Sequence, residues 1–254
     1  MAPKLTASSS SAAKSSGQKI SVLTAYDYPT ARLLEEAGID WILVGDSLGM
    51  VVLGYPDTTS VTLEDMIHHT RAVVRGSTRT PVIVDLPINT YCTPKEALTS
   101  ARKLIDAGAH AVKLEGGEAF APHVAMLTGA GIPTMGHIGM LPQSVHQIGG
   151  YKIQGRSDSQ SSQLLADALA LQASGAFAIV LELVASEAAT HISKALSIPT
   201  IGIGSGSECD GQVLVTNDLI GSFPWFCPKF VTQKAHTAQI ASEAIRSFIQ
   251  DLKS

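Results

Sequence analysis

Short apolar runs alternate with longer amphipathic stretches along the chain from residue 19 onward. This alternation is typical of βαβ units, in which parallel strands are buried on both faces by covering helices. Seven runs are clear, and an eighth is weaker. The predicted strands cover residues 19–27, 41–46, 81–86, 111–116, 133–139, 178–183 and 199–206, with the eighth near 211–218.

The stretches between these runs repeat apolar residues at helical spacing. The clearest predicted helices cover 30–38, 62–76, 93–108 and 161–175, and a last helix is expected near 232–250. Thr62, Thr93 and Ser186 are predicted N-caps, because a hydroxyl there can accept a hydrogen bond from a free N–H group. Glycines follow several helices, where the chain turns back into a strand. They are Gly38, Gly76, Gly108 and Gly175.

The predicted fold is an α/β protein, a single-domain (β/α)₈ TIM barrel over residues 19–254. The chain length of 254 residues and a hydrophobic fraction of 45% fit one such domain. Seven strand–helix alternations without a long polar linker suit a closed barrel better than an open doubly wound sheet.

The residues before the barrel, 1–18, are predicted to form a disordered N-terminal arm. The segment is rich in Ser and Ala, contains no acidic residue and has no apolar core of a secretion signal. An organellar transit peptide shares that bias, although Arg is absent here, so a targeting role stays open.

The net charge and the cysteine content of the chain limit which binding partners and which compartment are expected. The net charge of -4 and the absence of a Lys/Arg run give no footprint for nucleic acid or an anionic membrane. No apolar run approaches the ~18 residues that span a bilayer. Three cysteines, Cys92, Cys209 and Cys227, are odd in number and far apart, which favours a reducing cytoplasm. We therefore expect a cytoplasmic protein that binds a small molecule or another copy of itself.

Polar side chains stand at the ends of several predicted strands, where TIM barrels carry their active sites. These residues are Asp46, Asp85, Glu115, His137 and Glu182. Any one of them could cap a helix or pair with a structural Lys or Arg. Several carboxylates around one rim would repel each other without a cation, so the set together favours a metal.

Oxygen ligands favour Mg²⁺ over zinc, and Asp46 and Asp85 are the predicted ligands. Lys113 and Glu115 lie two residues apart and point to one face of their strand, so Lys113 is a predicted anchor for a substrate carboxylate. Leu181 and Leu183 flank Glu182, and the resulting desolvation makes it the predicted base. His137 is predicted to bind substrate or shuttle a proton, with a structural role equally open.

Nine segments in one order resemble the ketopantoate hydroxymethyltransferase family over residues ~19–230. They are TAYDY (24–28), LVGDSLGM (43–50), DLP (85–87), VKLEGG (112–117), GHIGMLPQSV (136–145), GGYKIQGR (149–156), LLADALAL (164–171), LELV (181–184) and IGIGSG (201–206). The resemblance implies a Mg²⁺-dependent barrel that makes ketopantoate from 3-methyl-2-oxobutanoate and 5,10-methylenetetrahydrofolate, on the route to pantothenate and coenzyme A.

The resemblance also implies roles for individual residues. Asp46 and Asp85 would bind the metal and the substrate, with Glu115 at the metal. Ser47, Lys113 and His137 would contact the oxo acid, and Glu182 would take its C3 proton. The family commonly forms homodecamers, so a homo-oligomer is expected. Residues 221–230 match the family mainly in PKF, which weakens the transfer of folate and assembly contacts.

Two other functions compete with this one. A related barrel lyase or mutase of the phosphoenolpyruvate mutase and isocitrate lyase type would need a catalytic-loop cysteine, and Cys92 lacks a Gly-rich context. A non-catalytic barrel would not need the carboxylates.

Two loop segments carry separate predictions. Segment 202–206 is predicted to be a turn rather than a phosphate loop, and the long connection that contains 149–156 is a predicted lid.

Overall fold

Eight short parallel strands form a closed barrel in chain order in the computed structural model, which describes residues 5–254. Each strand lies inside or against one of the predicted runs, so the predicted TIM barrel is confirmed. The strands are β1 (Ile20–Thr24), β2 (Trp41–Val44), β3 (Val82–Asp85), β4 (Ala111–Glu115), β5 (Thr134–Gly139), β6 (Ala178–Glu182), β7 (Thr200–Ile203) and β8 (Gly211–Leu214).

Helices lie between and after the strands along the chain. They are α1 (Ala7–Ser15), α2 (Tyr28–Ala37), α3 (Leu48–Val51), α4 (Leu63–Gly76), α5 (Pro94–Asp106), α6 (Ala121–Gly129), α7 (Val145–Ile148), α8 (Asp158–Ala173), α9 (Ser186–Ala195), α10 (Thr216–Ile220) and α11 (Thr237–Lys253). The four clearest predicted helices correspond to α2, α4, α5 and α8. The final helix begins at Thr237, later than the predicted 232.

The residues that point into the barrel are apolar near the strand starts and polar near the strand ends. In β5 the inward residue Met135 is followed two positions later by His137, and in β6 Val180 is followed by Glu182. Side chains two apart share a face of a strand. Trp41 and Phe177 meet edge to face in the apolar layer, 5.7 Å between ring centroids. This apolar layer supports the polar layer at the strand ends.

Capping chemistry explains where the helices begin. Thr62 and Thr93 form capping boxes with Asp65 and Glu96, so both predicted N-caps are confirmed. The predicted cap at Ser186 is wrong, because Ser186 is already the first residue of α9. The N–H of Ala185 donates to the carbonyl of Gln154, and this backbone contact sets the helix start without a side-chain cap.

The predicted disorder of the arm is wrong for its described part, since residues 7–15 form α1. Thr6 caps this helix through a capping box with Ser9. The Lys14 ammonium donates to the carbonyls of Ser193 and Ile198 and lies 3.0 Å from Asp210 Oδ2. These contacts are made with residues far along the chain, so local sequence pattern did not reveal them. Residues 1–4 lie outside the described part.

The connection between β7 and β8 differs from the ideal repeat, because residues 204–210 contain no helix. The carbonyl of Asp210 accepts from Ile20 N, which joins the start of β8 to β1. The chain divides into two compact units, residues up to Val213 and Leu214–Ser254. The second contains α10 and α11. Among the described residues, no helix has the length and apolar character to cross a membrane.

Replacing Lys14 tests whether α1 is held against the barrel. We expect Lys14→Met to lower the free energy of unfolding by about 1–3 kcal/mol, because three acceptors lose a charged donor. Exposed Lys194 in the last turn of α9 is the matched control, and Lys194→Met should change stability by less than about 0.5 kcal/mol. Urea denaturation measures both. Equal stability of the two variants would contradict the docked helix.

Candidate active site

The predicted site residues converge at the carboxyl ends of adjacent strands. Asp85 ends β3, Glu115 ends β4 and Glu182 ends β6, while Asp46 follows β2 by two positions. Asp46, Asp85, Lys113, Glu115 and His137 are all buried, and the Glu182 side chain is 14% exposed. Six of the seven predicted side chains thus belong to one buried polar layer.

Asp85 and Lys113 form the central ion pair of this layer. Lys113 Nζ lies 2.9 Å from Asp85 Oδ1, and the other oxygen of Asp85 accepts from the backbone N–H of Asp46 at 3.1 Å. A Cβ on Gly45 would lie only 2.9 Å from Ser47 Oγ. A side chain at Gly45 would therefore displace the Ser47 hydroxyl and would also lie 3.6 Å from Asp85 Oδ2. Ser47 Oγ also hydrogen-bonds Tyr26 Oη at 2.8 Å.

His137 connects the ion pair to the other carboxylates. Its Nδ1 lies 3.3 Å from Lys113 Nζ and 3.6 Å from Glu115 Oε1, and its Nε2 lies 3.3 Å from Glu182 Oε2. Burial, followed by the charge of Lys113, holds the pKa of His137 well below its ordinary value. The ring is neutral near pH 7 and can donate one hydrogen bond to a carboxylate.

Burial raises the pKa of the carboxylates. The pKa of Asp46 rises to about 7, first because of burial and then because of the nearby charge of Asp85. Burial also raises the pKa of Glu182 to about 7, although Lys113 opposes the shift. The pKa of Glu115 lies well above its ordinary value for the same first reason. The layer therefore holds more acidic groups than its one lysine can neutralise.

The donor set fits a hard divalent cation that keeps part of its water shell. Asp46 and Asp85 follow or end neighbouring strands and both offer carboxylate oxygens, and Mg²⁺ is commonly bound by one or two carboxylates, waters and substrate oxygens. Within residues 5–254, no group of three or more His, Cys, Asp or Glu side chains is arranged to hold a metal alone. The predicted ligands Asp46, Asp85 and Glu115 therefore remain predictions.

The backbone around Glu182 is unusually constrained. Leu183 adopts a left-handed conformation with φ of 46°, which is uncommon for a residue with a side chain. Its N–H donates to Ile203 O, and its carbonyl accepts from Gln154 N. Ser205 Oγ donates to Leu181 O and accepts from Val184 N. The 202–206 segment, predicted to be a turn, thus supplies a hydroxyl that holds the chain on both sides of Glu182.

Gly139 lets β5 approach this strand end. Its φ is 98°, and a Cβ there would lie 2.3 Å from the carbonyl oxygen of Glu182. The next residue, Met140, donates its N–H to that same carbonyl at 2.8 Å. A glycine is required because a side chain would displace the backbone that carries the candidate base.

The connection between β5 and α8, residues 140–157, is long, as predicted, and contains α7. Its Gln154 forms an isolated bridge with Val184, and Tyr151 and Ile153 are exposed. Partial burial of its hydroxyl end, followed by the charge of Glu182, raises the pKa of Tyr151 to about 12, although the residue as a whole is half exposed. Closure of the segment remains a prediction.

Three polar residues at the site were missed by sequence reasoning. Tyr26 contacts Ser47, and Tyr91 and Gln143 are buried beside the carboxylates. Gln143 donates to Asp46 and, through its backbone, to Glu115. Tyr26 and Gln143 lie in two of the segments that resemble the family, TAYDY (24–28) and GHIGMLPQSV (136–145), and that resemblance was the available signal. A loop has neither helical nor strand periodicity, so its sequence does not show which way each side chain points.

The eight parallel strands and the buried acidic layer at their carboxyl ends define a TIM barrel with a buried polar site at the usual end of the barrel. The model of the family described as ketopantoate hydroxymethyltransferase matches residues 4–254. The chain belongs to this family, which confirms the assignment made from sequence.

Individual relatives agree with the family match. The 3-methyl-2-oxobutanoate hydroxymethyltransferase of Acetivibrio thermocellus is 52% identical, across all of this chain and 90% of the relative. That of Chloroflexus aurantiacus is 55% identical, across 94% of this chain and 85% of the relative. The fold is similar to that of a phosphoenolpyruvate phosphomutase from Streptomyces platensis, with a TM-score of 0.68 and 16% identity over 97% of this chain and 88% of that one.

Proposed function

We propose that the chain transfers the one-carbon unit of 5,10-methylenetetrahydrofolate to C3 of 3-methyl-2-oxobutanoate. Water supplies the hydroxyl group, so the products are 2-dehydropantoate (ketopantoate) and tetrahydrofolate. The observation that carries the proposal is the meeting of Lys113, the Asp46–Asp85 pair and Glu182 in one buried layer. Membership of the hydroxymethyltransferase family supports the choice of substrates.

The substrate would be bound by charge and oriented by hydrogen bonds. Lys113 is the anchor for the carboxylate of the oxo acid, and Ser47 offers a hydroxyl next to it. Asp46 and Asp85 would hold Mg²⁺, with Glu115 beside it. When bound, Mg²⁺ supplies positive charge that lowers the free energy of the enolate formed next to the ketone.

Glu182 is the proposed base. Water would cleave the two C–N bonds of the methylene group, which releases tetrahydrofolate and leaves the one-carbon unit as formaldehyde. The Glu182 carboxylate would take the proton from C3, and C3 would then attack this carbonyl carbon. The new alkoxide oxygen, which comes from water, takes up a proton and becomes the hydroxyl group. A pKa of about 7 suits this task, because the carboxylate is available near neutral pH and still holds a proton firmly. His137, with Nε2 3.3 Å from Glu182, would orient the carboxylate toward the substrate.

The remaining expectations concern the surroundings of the enzyme. The three cysteines are free, which supports the proposal of a reducing cytoplasm. In the unit Leu214–Ser254, α11 exposes several large apolar side chains, which support the proposal of a homo-oligomer, a homodecamer as the family resemblance implies. They are Ile240, Ile245, Phe248 and Leu252.

Turnover with both substrates tests the reaction. We expect the protein with Mg²⁺ to form ketopantoate only when methylenetetrahydrofolate is present, and Glu182→Gln to lower kcat by about 10²–10⁴-fold through loss of the base. Exposed Glu187 on α9 provides the matched control, and Glu187→Gln should retain full activity. Chromatography of the product measures both. Carbon–carbon bond cleavage of an oxo acid without folate would instead favour the lyase alternative.

The pH dependence of kcat/KM for the oxo acid should follow Glu182. Its pKa is raised to about 7, so the base is lost to protonation as the pH falls below that value. At saturating Mg²⁺ we expect roughly a tenfold decrease between pH 8 and pH 6. His137, with its lowered pKa, stays neutral over this range. A flat profile between these pH values, with proton removal rate-limiting, would contradict the assignment of Glu182.

A further inference from the structure

Gln143 contacts three neighbouring strand ends from the loop after β5. We propose that Gln143 is a positioning residue, which fixes Asp46 and Glu115 in the arrangement that accepts the divalent cation. The inference rests on the metal-dependent function proposed above. It adds a residue that lies outside the set of predicted ligands, substrate contacts and base.

The side-chain amide of Gln143 has one orientation that satisfies all of its neighbours. Nε2 donates to Asp46 Oδ2 at 2.7 Å and to the carbonyl of Leu86 at 2.9 Å. The carbonyl of Leu86 can only accept, so it requires the NH₂ side of the amide, and the same NH₂ group then faces Asp46. Oε1 accepts from the hydroxyl of Tyr91, which determines the opposite side. Both N–H donors of the amide and one acceptor position of its oxygen are therefore used.

The backbone of Gln143 reaches a second acidic residue. Its N–H donates to Glu115 Oε2 at 3.1 Å, so one residue binds carboxylates that follow β2 and end β4. Leu86, the third contact, directly follows Asp85 at the end of β3. Gln143 lies in a short 3₁₀ turn, Pro142–Ser144, and the proline restricts the backbone of this turn. The turn thus presents a rigid donor group.

Burial makes these contacts difficult to replace. Gln143 is only 4% exposed and Asp46 is equally buried. Loss of the amide would leave Asp46 Oδ2 without its donor next to the charge of Asp85, and the carboxylate would be free to rotate. Residues that orient a metal ligand typically contribute 10–100-fold to metal affinity. The proposed role therefore predicts a defect in cation binding rather than in the proton-transfer step.

Binding of Mn²⁺ to the metal-free protein, followed by the electron paramagnetic resonance of the free ion, tests the inference without turnover. We expect Gln143→Met, which keeps the side-chain length, to raise the dissociation constant 10–100-fold. The matched control is Gln163→Met, because exposed Gln163 also donates to an aspartate, Asp167, at 3.2 Å. It should bind Mn²⁺ like the wild type. Excess Mg²⁺ should restore much of the kcat of Gln143→Met.

Tyr91→Phe keeps the test decisive if Gln143→Met does not fold. It removes only the hydroxyl that orients the amide, so we expect a severalfold increase in the Mn²⁺ dissociation constant. Equal Mn²⁺ affinity of the wild type and the folded variants would overturn the positioning role and leave the proposed reaction standing. Absence of Mn²⁺ binding by the wild type would overturn the metal-dependent reaction as well.

Discussion

The burial of several acidic groups against a single lysine is the constraint on which the rest of the site depends. Lys113 lies 2.9 Å from Asp85, and burial raises the pKa values of Asp46, Glu115 and Glu182 around this pair. Uncompensated charge inside a protein is costly unless it is paired, hydrogen-bonded or bound to a cation. The layer is therefore suited to a cationic ligand, and the same environment gives Glu182 the proton affinity of a base.

The barrel makes such a layer possible by separating packing from chemistry along each strand. Inward residues near the strand starts, such as Ile83 and Met135, belong to an apolar cluster. Two residues later the same face carries Asp85 and His137. The apolar cluster contributes buried area and stability. The strand ends can therefore hold buried charged and polar groups, which would be destabilising without that support. Glycines and hydrogen-bonded loops at the rim complete the positioning.

Much of this arrangement was predictable from strand periodicity. Lys113 and Glu115 are two residues apart on a buried strand, so their shared face required no knowledge of distant contacts. The features that sequence reasoning missed depend on a different kind of contact. Helix α1 is docked through Lys14 and residues near Asp210, and Gln143 acts from a loop without repeat or alternation. Contacts between distant parts of the chain decide both cases, and a Ser/Ala-rich segment or a single polar loop residue carries little local signal.

The central claim is that one buried layer both stabilises the enolate and removes the proton that creates it. Deuterium exchange at C3 of 3-methyl-2-oxobutanoate, followed by nuclear magnetic resonance in D₂O with Mg²⁺ and without folate, isolates this step. The account predicts exchange by the wild type that requires Mg²⁺, and none above background for Glu182→Gln. Absence of wild-type exchange, or equal exchange by the variant, would contradict it.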